Sequence, residues 1–263
     1  MARNFENKVV IVTGGASGIG KAICSAFYDA GANVICVDVD RTIGNLFLDD
    51  VSEDNFDFLP IDVVDIDEEL FDVALNLYGR IDILVNNAAI QPLESYTPLH
   101  LLPIDVWDRV IDVNLKGYFL MAKYCLPPMI EQGGGVIINI ASVTGLAVSK
   151  NISAYAASKA AIISLTRSLA LEYANQNIRA VAICPGTIDT PLVRQALSAQ
   201  THGIDAELAV EKLGHAHPIG RIGRPEEIAA AVLFCASDAA SFMAGSVMMV
   251  DGGLLAKGAW AVE

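Results

Sequence analysis

Positive charge is scarce in this sequence: 17 Lys and Arg stand against 31 Asp and Glu, a formal net charge of −14. A deficit of that size argues against a partner held through its phosphate backbone, so no nucleic acid is expected. It leaves room for a nucleotide, which backbone N–H groups can hold without lysines. Long hydrophobic runs are missing as well. The most continuous, residues 228–236, ends at Ser237-Asp238, well short of a bilayer span. The apolar stretch after Arg3 and Lys8 breaks at Thr13-Gly14-Gly15 before it can form a signal-peptide core, so no membrane association is expected. Paired cysteines are absent too. Cys24, Cys36, Cys125, Cys184 and Cys235 are scattered through apolar surroundings with no C-x-x-C, which reads as core thiols in a reducing, cytoplasmic setting. His215 and His217 stand two apart, cannot share a helix face and have no carboxylate at zincin spacing. They predict capping or lid packing and no metal.

What is present suits a large core. At 53% hydrophobic residues and 263 residues, with no linker or repeat, the chain reads as one domain spanning 1–263. Short β-branched runs at 8–13, 33–38, 57–61, 82–86, 135–141, 178–184 and 247–250 alternate with amphipathic stretches at 18–30, 66–78, 103–132, 154–175 and 225–236. That alternation predicts an α/β Rossmann fold, a doubly wound seven-stranded parallel sheet with helices on both faces. Residues 191–223 break the rhythm and are expected to form a lid beside a site.

The run Thr13-Gly14-Gly15-Ala16-Ser17-Gly18-Ile19-Gly20 lies between the first strand and the first helix. Glycines there permit a tight turn, close approach of a pyrophosphate to the backbone, and close packing of helix on strand, with the helix N-terminus facing the anion. The second strand ends in Asp38, placed to accept hydrogen bonds from adenosine ribose hydroxyls and to repel a 2′-phosphate, so NAD is expected over NADP. Arg41 either stacks on adenine or softens that preference. Asp62-Val63 and Asn86-Asn87-Ala88-Ala89 close later strands at the end where ligands bind in open α/β sheets.

Tyr155 and Lys159 stand four apart, on one face of a helix. An unperturbed phenol is a poor base at neutral pH, and a lysine cation lowers the cost of its phenolate. Ser142, at the end of a strand thirteen residues before Tyr155, can hydrogen-bond a substrate oxygen. Asn114, inside a predicted long helix, holds either a kink or a water.

Taken in order, T-G-x-x-x-G-I-G at residues 13–20, N-N-A-x at 86–89, the Asn114, Ser142, Tyr155 and Lys159 set, Pro185-Gly186 and Asp251-Gly252-Gly253 resemble the short-chain dehydrogenase/reductase family over nearly all of residues 8–253. The resemblance implies Tyr155 as general acid/base, Ser142 orienting the substrate oxygen, Lys159 binding the nicotinamide ribose and lowering the tyrosine pKa, and Asn114 positioning a relay water. It implies cofactor contacts from Gly14, Ser17, Gly18, Ile19, Gly20, Asp38, Asp62, Val63, Asn87, Ile188 and Thr190, and a homotetramer. Ala89 departs from the family's usual glycine.

The expected substrate is a small molecule oxidised at a secondary alcohol or hemiacetal carbon. Gln91, Thr144 and Asn151, beside Ser142 and Tyr155, are expected to contact it, and their polarity suits a polyhydroxylated ligand. Lys150-Asn151-x-Ser153-Ala154-Tyr155, residues 187–194, Gly214-His-Ala-His-Pro218 and Arg221-Ile-Gly223 are similar to bacterial and archaeal aldose dehydrogenases of that family, which implies a sugar. A carbonyl reductase of the 3-oxoacyl or general ketone kind, and a non-catalytic dinucleotide sensor, are the alternatives. The tail 254–263, with Trp260, is expected to dock on a neighbouring subunit near its active site.

Overall fold

The computed structural model describes residues 5–49, 51, 55–66, 69–200 and 206–257. Its centre is a seven-stranded, wholly parallel sheet of β1 (Val9–Thr13), β2 (Asn33–Val37), β3 (Phe56–Leu59), β4 (Ile83–Asn86), β5 (Gly135–Ile140), β6 (Ile178–Pro185) and β7 (Val247–Val250), in spatial order β3-β2-β1-β4-β5-β6-β7. The chain runs outward from β1 to β3, then crosses back to lay β4 on the other side of β1. The strand order therefore reverses between β1 and β4, which opens a crevice at their C-terminal ends.

The strands are apolar along their whole length because both faces are covered. In β1, Val10 and Val12 join the core that packs α1 (Gly18–Asp29) and α9 (Pro225–Ala236) on one face. Val9 and Ile11 join the opposite core, with α3 (Glu69–Tyr78), α5 (Gly117–Glu131) and α6 (Ser153–Tyr173). Truncating fully buried Ile11 to Ala would cost about 2–5 kcal/mol through lost burial and a residual cavity. All five cysteines are buried free thiols.

Two stretches differ from the sequence reading. Helix α2 (Arg41–Asp49) lies in a stretch for which no helix was predicted, with Gly44, a poor helix former, in its middle. Gly44 is needed because a Cβ there would lie 2.1 Å from the Phe58 ring. The single helix expected over 103–132 is interrupted: α4 (Ile104–Ile111) and α5 are joined by a π-helical turn, Asp112–Lys116. The irregular stretch before α9 contains α7 (Pro191–Gln200) and α8 (Ala206–His215). Trp260 and the end of the tail, 258–263, lie outside the described residues.

Candidate active site

A cavity of about 360 Å³ occupies the crevice at the strand ends. Of the residues singled out in the sequence, Gly14, Ser17, Gly18, Ile19, Asp38, Asp62, Val63, Asn87, Ser142, Tyr155, Lys159, Ile188 and Thr190 line it. Gly20 does not. A Cβ on Gly20 would sit 1.9 Å from the Gly14 carbonyl oxygen, so this glycine lets α1 press against the turn rather than admit a ligand. Gly14 and Gly18 adopt φ of +61° and +52°, the left-handed region that favours glycine. Ser17 caps α1 without a side-chain bond of its own.

Asp38, at the end of β2, accepts the Ala16 N–H at 3.0 Å and the Asp40 N–H at 3.1 Å. The carboxylate thus fastens the glycine turn while facing the cavity. Asn87 has a similar double position. Its amide nitrogen donates to the carbonyls of Thr13 and Gly14 at 3.0 and 3.1 Å, and its backbone N–H donates to Thr13 Oγ1 at 3.0 Å.

At the other end, Ser142 follows β5, and Tyr155 and Lys159 lie one helical turn apart on α6. Thr144 donates both its N–H, at 3.1 Å, and its hydroxyl, at 2.9 Å, to Ser142 Oγ. With its lone pairs engaged, Ser142 retains its proton for donation. Lys159 Nζ is buried, donates to the Ile140 carbonyl at 2.9 Å, and lies 5.5 Å from the Tyr155 ring centroid.

Burial dominates the ionisation of both groups. It pushes Tyr155 up to about 12, with Tyr96 adding to the rise and the hydrogen bond to Ser142 opposing it. It pushes Lys159 down to about 7. In the protein alone desolvation is the largest influence on the tyrosine, and the hydrogen bond to Ser142 is what eases phenolate formation.

Asn114 sits in the π-helical turn and is fully buried. Its oxygen accepts the Ile90 N–H at 2.8 Å, and its nitrogen donates to the Ile90 carbonyl at 3.0 Å and to Ser158 Oγ at 3.3 Å. The side chain expected to hold a water is therefore bonded on three sides to protein, and it fixes the loop after β4.

Of the polar residues expected at the substrate end, Gln91, Thr144 and Asn151 are not among those lining this cavity. Thr144 works from behind Ser142, and Asn151 occupies an exposed left-handed turn at φ +65°. Ala89, Ile90, Ile188, Leu192 and Val193 add apolar side chains to the same wall. Sequence reasoning missed Arg109, which lines the cavity from α4, and Tyr118, whose hydroxyl lies 3.5 Å from Lys159 Nζ. Tyr118 follows Asn114 by four residues, a helical spacing that was legible but looks like any core aromatic.

Gly186 and Ile188 also border a second cavity of about 370 Å³ behind the site. There His217 is bonded at both ring nitrogens, Nε2 accepting the Thr187 N–H at 3.1 Å and Nδ1 meeting the Leu213 carbonyl at 3.0 Å. The acceptor role of Nε2 leaves Nδ1 as the donor. His217 thus ties the end of α8 to the segment leading into Ile188 and Thr190.

Comparison with known proteins gives the same picture. A family model described as Enoyl-(Acyl carrier protein) reductase matches residues 14–255. The chain is 40% identical over 264 residues to cis-4-hydroxycyclohexanecarboxylate dehydrogenase of Sinomonas cyclohexanicum, covering 97% of this chain and 100% of that one. It is 39% identical over 257 residues to NAD-dependent glycerol dehydrogenase of Listeria innocua, covering 97% and 96%. The solved structure of Thermoplasma acidophilum aldohexose dehydrogenase in ligand-free form superposes with a TM-score of 0.90 at 39% identity, with full coverage of both chains. The seven-stranded parallel sheet, the motifs in register along it and these matches make the chain a member of the short-chain dehydrogenase/reductase family, oxidoreductases that act on CH–OH groups with a nicotinamide cofactor.

Proposed function

We propose that this chain is an NAD-dependent dehydrogenase that oxidises a secondary alcohol or hemiacetal carbon, with Tyr155 as general acid/base. The observation that carries this reading is the placement of Ser142, Tyr155 and Lys159 on the wall of the cavity that begins at the glycine turn. Their surroundings fit a nicotinamide dinucleotide. Gly14 leaves no room for a side chain, since a Cβ would approach Ala88 Cα to 2.8 Å, and the start of α1, where the Ser17 side chain makes no capping bond, offers N–H groups to an anion. Asp38, Asp62 and Val63 would hold the adenosine half, the turn from Gly14 to Ile19 the pyrophosphate, and Ile188, Thr190, Tyr155 and Lys159 the nicotinamide half. When bound, the cofactor supplies the acceptor for the hydride leaving the carbinol carbon.

The protein's own contribution is proton handling. The alcohol O–H donates to Tyr155 Oη, which takes the proton as the carbonyl forms. Ser142, its lone pairs already satisfied by Thr144, donates its proton to the same substrate oxygen and holds it against Tyr155. The Lys159 ammonium offsets the phenolate charge in a dry site. Asp38 gives the preference for NAD, because a 2′-phosphate there meets a carboxylate.

For the substrate, a six-membered ring bearing a carbinol is common to the aldohexose and hydroxycyclohexanecarboxylate dehydrogenases that this chain resembles. The motifs around Asn151 and His215 favour a sugar. The apolar wall of Ile90, Leu192 and Val193 favours a carbocyclic alcohol as the second reading. We further propose a cytoplasmic homotetramer built from one catalytic domain per chain.

The test is turnover of aldoses, polyols and cyclic secondary alcohols with NAD, with Tyr155→Phe expected to lose about 10²–10⁴-fold. Undiminished turnover by that variant removes the proposed base. Activity confined to ketones with NADPH replaces this reading with a carbonyl reductase. Equal affinity for NADH and NADPH removes the role of Asp38, and cofactor binding without turnover of any substrate leaves a sensor.

A further inference from the structure

Among the described residues no carboxylate is bonded to the buried Lys159 side chain. Around it are the Ile140 carbonyl at 2.9 Å, the Tyr118 hydroxyl at 3.5 Å, two aromatic faces, Tyr118 at 5.4 Å and Tyr155 at 5.5 Å, and the Cys184 thiol of β6, whose charge interaction also favours the ammonium. The Tyr118 side chain is 1% exposed and projects from the first turn of α5, just past the π-helical turn. Its hydroxyl donates to the same Ile140 carbonyl at 3.0 Å. With that proton committed, the oxygen can meet Lys159 only as an acceptor. Lys159, Tyr118 and the end of β5 thus form a closed triangle that occupies two of the three ammonium N–H groups, and Lys159 itself lines the cavity.

We propose that Tyr118 is a positioning residue that holds the Lys159 side chain protonated and directs its remaining N–H toward the cavity and Tyr155. This rests on the proton-handling role given to Tyr155 and Lys159 above. The productive arrangement is a phenolate at Tyr155 beside an ammonium at Lys159. In a desolvated pair, the competing arrangement is a neutral phenol beside a neutral amine. An acceptor for the ammonium favours the first. A hydroxyl held by a backbone carbonyl supplies it without adding a negative charge that would oppose the phenolate.

Tyr118→Phe keeps the ring and removes the hydroxyl, which is both the acceptor for Lys159 and the donor to the Ile140 carbonyl. Lys159 then titrates at lower pH, so whichever limb of the pH–rate profile it sets moves toward acid. The share of productive molecules also falls, and maximal kcat drops about tenfold, the effect of losing one hydrogen bond to a charged group. A merely structural role lowers the height without moving the limbs, and a profile in its original position overturns the proposal. The second measurement needs no substrate. The Lys159 side-chain NMR signal, assigned by its loss in Lys159→Ala, is titrated in both proteins. A midpoint lower in Tyr118→Phe supports the proposal, and an equal or higher one overturns it. Thermal unfolding verifies that the variant is folded. Because this titration is read without turnover, failure of the dehydrogenase reading and failure of the Tyr118 role give different results.

Discussion

Thr13 and Asn87 bind each other across the point where the strand order reverses. The Thr13 hydroxyl accepts the N–H groups of Asn87 and Ala88 at 3.0 and 3.1 Å, and the Asn87 amide returns a bond to the Thr13 carbonyl at 3.0 Å. The crevice between β1 and β4 is thereby held at a set width, with the glycine turn on one bank and the loop before Ile90 on the other. Asn87→Ala leaves the Thr13 and Gly14 carbonyls without this donor, at about 1–3 kcal/mol. Urea unfolding and fluorescence titration with NADH should both register the loss, and unchanged values in the two assays would remove the staple.

Gly20 is the sharpest steric test of the cofactor turn. Gly20→Ala places a methyl 1.9 Å from the Gly14 oxygen and 2.7 Å from Asn87 Nδ2, neither of which can retreat without opening the crevice. The expected loss is about 1–3 kcal/mol, in the range of overpacked cores, accompanied by weaker NADH binding. Gly79, where a Cβ meets nothing within 4 Å, supplies the control: Gly79→Ala strains only φ +71° and leaves NADH affinity unchanged. Equal effects of both substitutions on NADH affinity would contradict this assignment.

Asp82 predicts the acid side of the stability curve. Burial alone would raise its carboxyl, but hydrogen bonds from Arg80, the Val9 N–H and Lys8 together hold it below the usual carboxylate range. A depressed native pKa contributes stability that is fully present above the unfolded value of about 4 and disappears as pH falls through the native one. The stability gap between wild type and Asp82→Asn should therefore be widest near neutrality and close with acidification. A gap that is constant with pH would mean that the carboxylate charge plays no part.

His217 gives a prediction on mobility. His217→Leu strands the Thr187 N–H and the Leu213 carbonyl, so hydrogen exchange at Thr187 should accelerate and KM for substrate should rise more than kcat falls. His217→Gln retains an acceptor and a donor at comparable reach and should restore both. Identical behaviour of the two variants would show that ring packing, not the pair of bonds, holds this segment.

The strands were readable because burial on both faces leaves runs such as Val9-Val10-Ile11-Val12 almost free of polar residues. Helix α2 was hidden by Gly44, whose justification is the Phe58 ring on a strand fourteen residues later. The catalytic-type residues were legible because helical spacing places Tyr155 and Lys159 on one face wherever the helix lies. The apolar part of the cavity wall was not. Polarity singled out Gln91, Thr144 and Asn151, whereas the cavity is faced by Ile90, Leu192 and Val193, whose side chains resemble any core residue until the path of α7 is known. The π-helical turn was equally hidden, because a single widened turn leaves the apolar pattern of 103–132 nearly intact.

The pair of bonds from Thr144 to Ser142 carries one more consequence. A hydroxyl whose lone pairs are filled from behind serves an alcohol oxygen becoming a carbonyl and a carbonyl oxygen becoming an alcohol in the same way. Such a site is indifferent to the sense of the reaction. In the reaction proposed above, the direction is then set not by this hydroxyl but by the concentrations of the alcohol and carbonyl, of the oxidised and reduced dinucleotide, and of the proton.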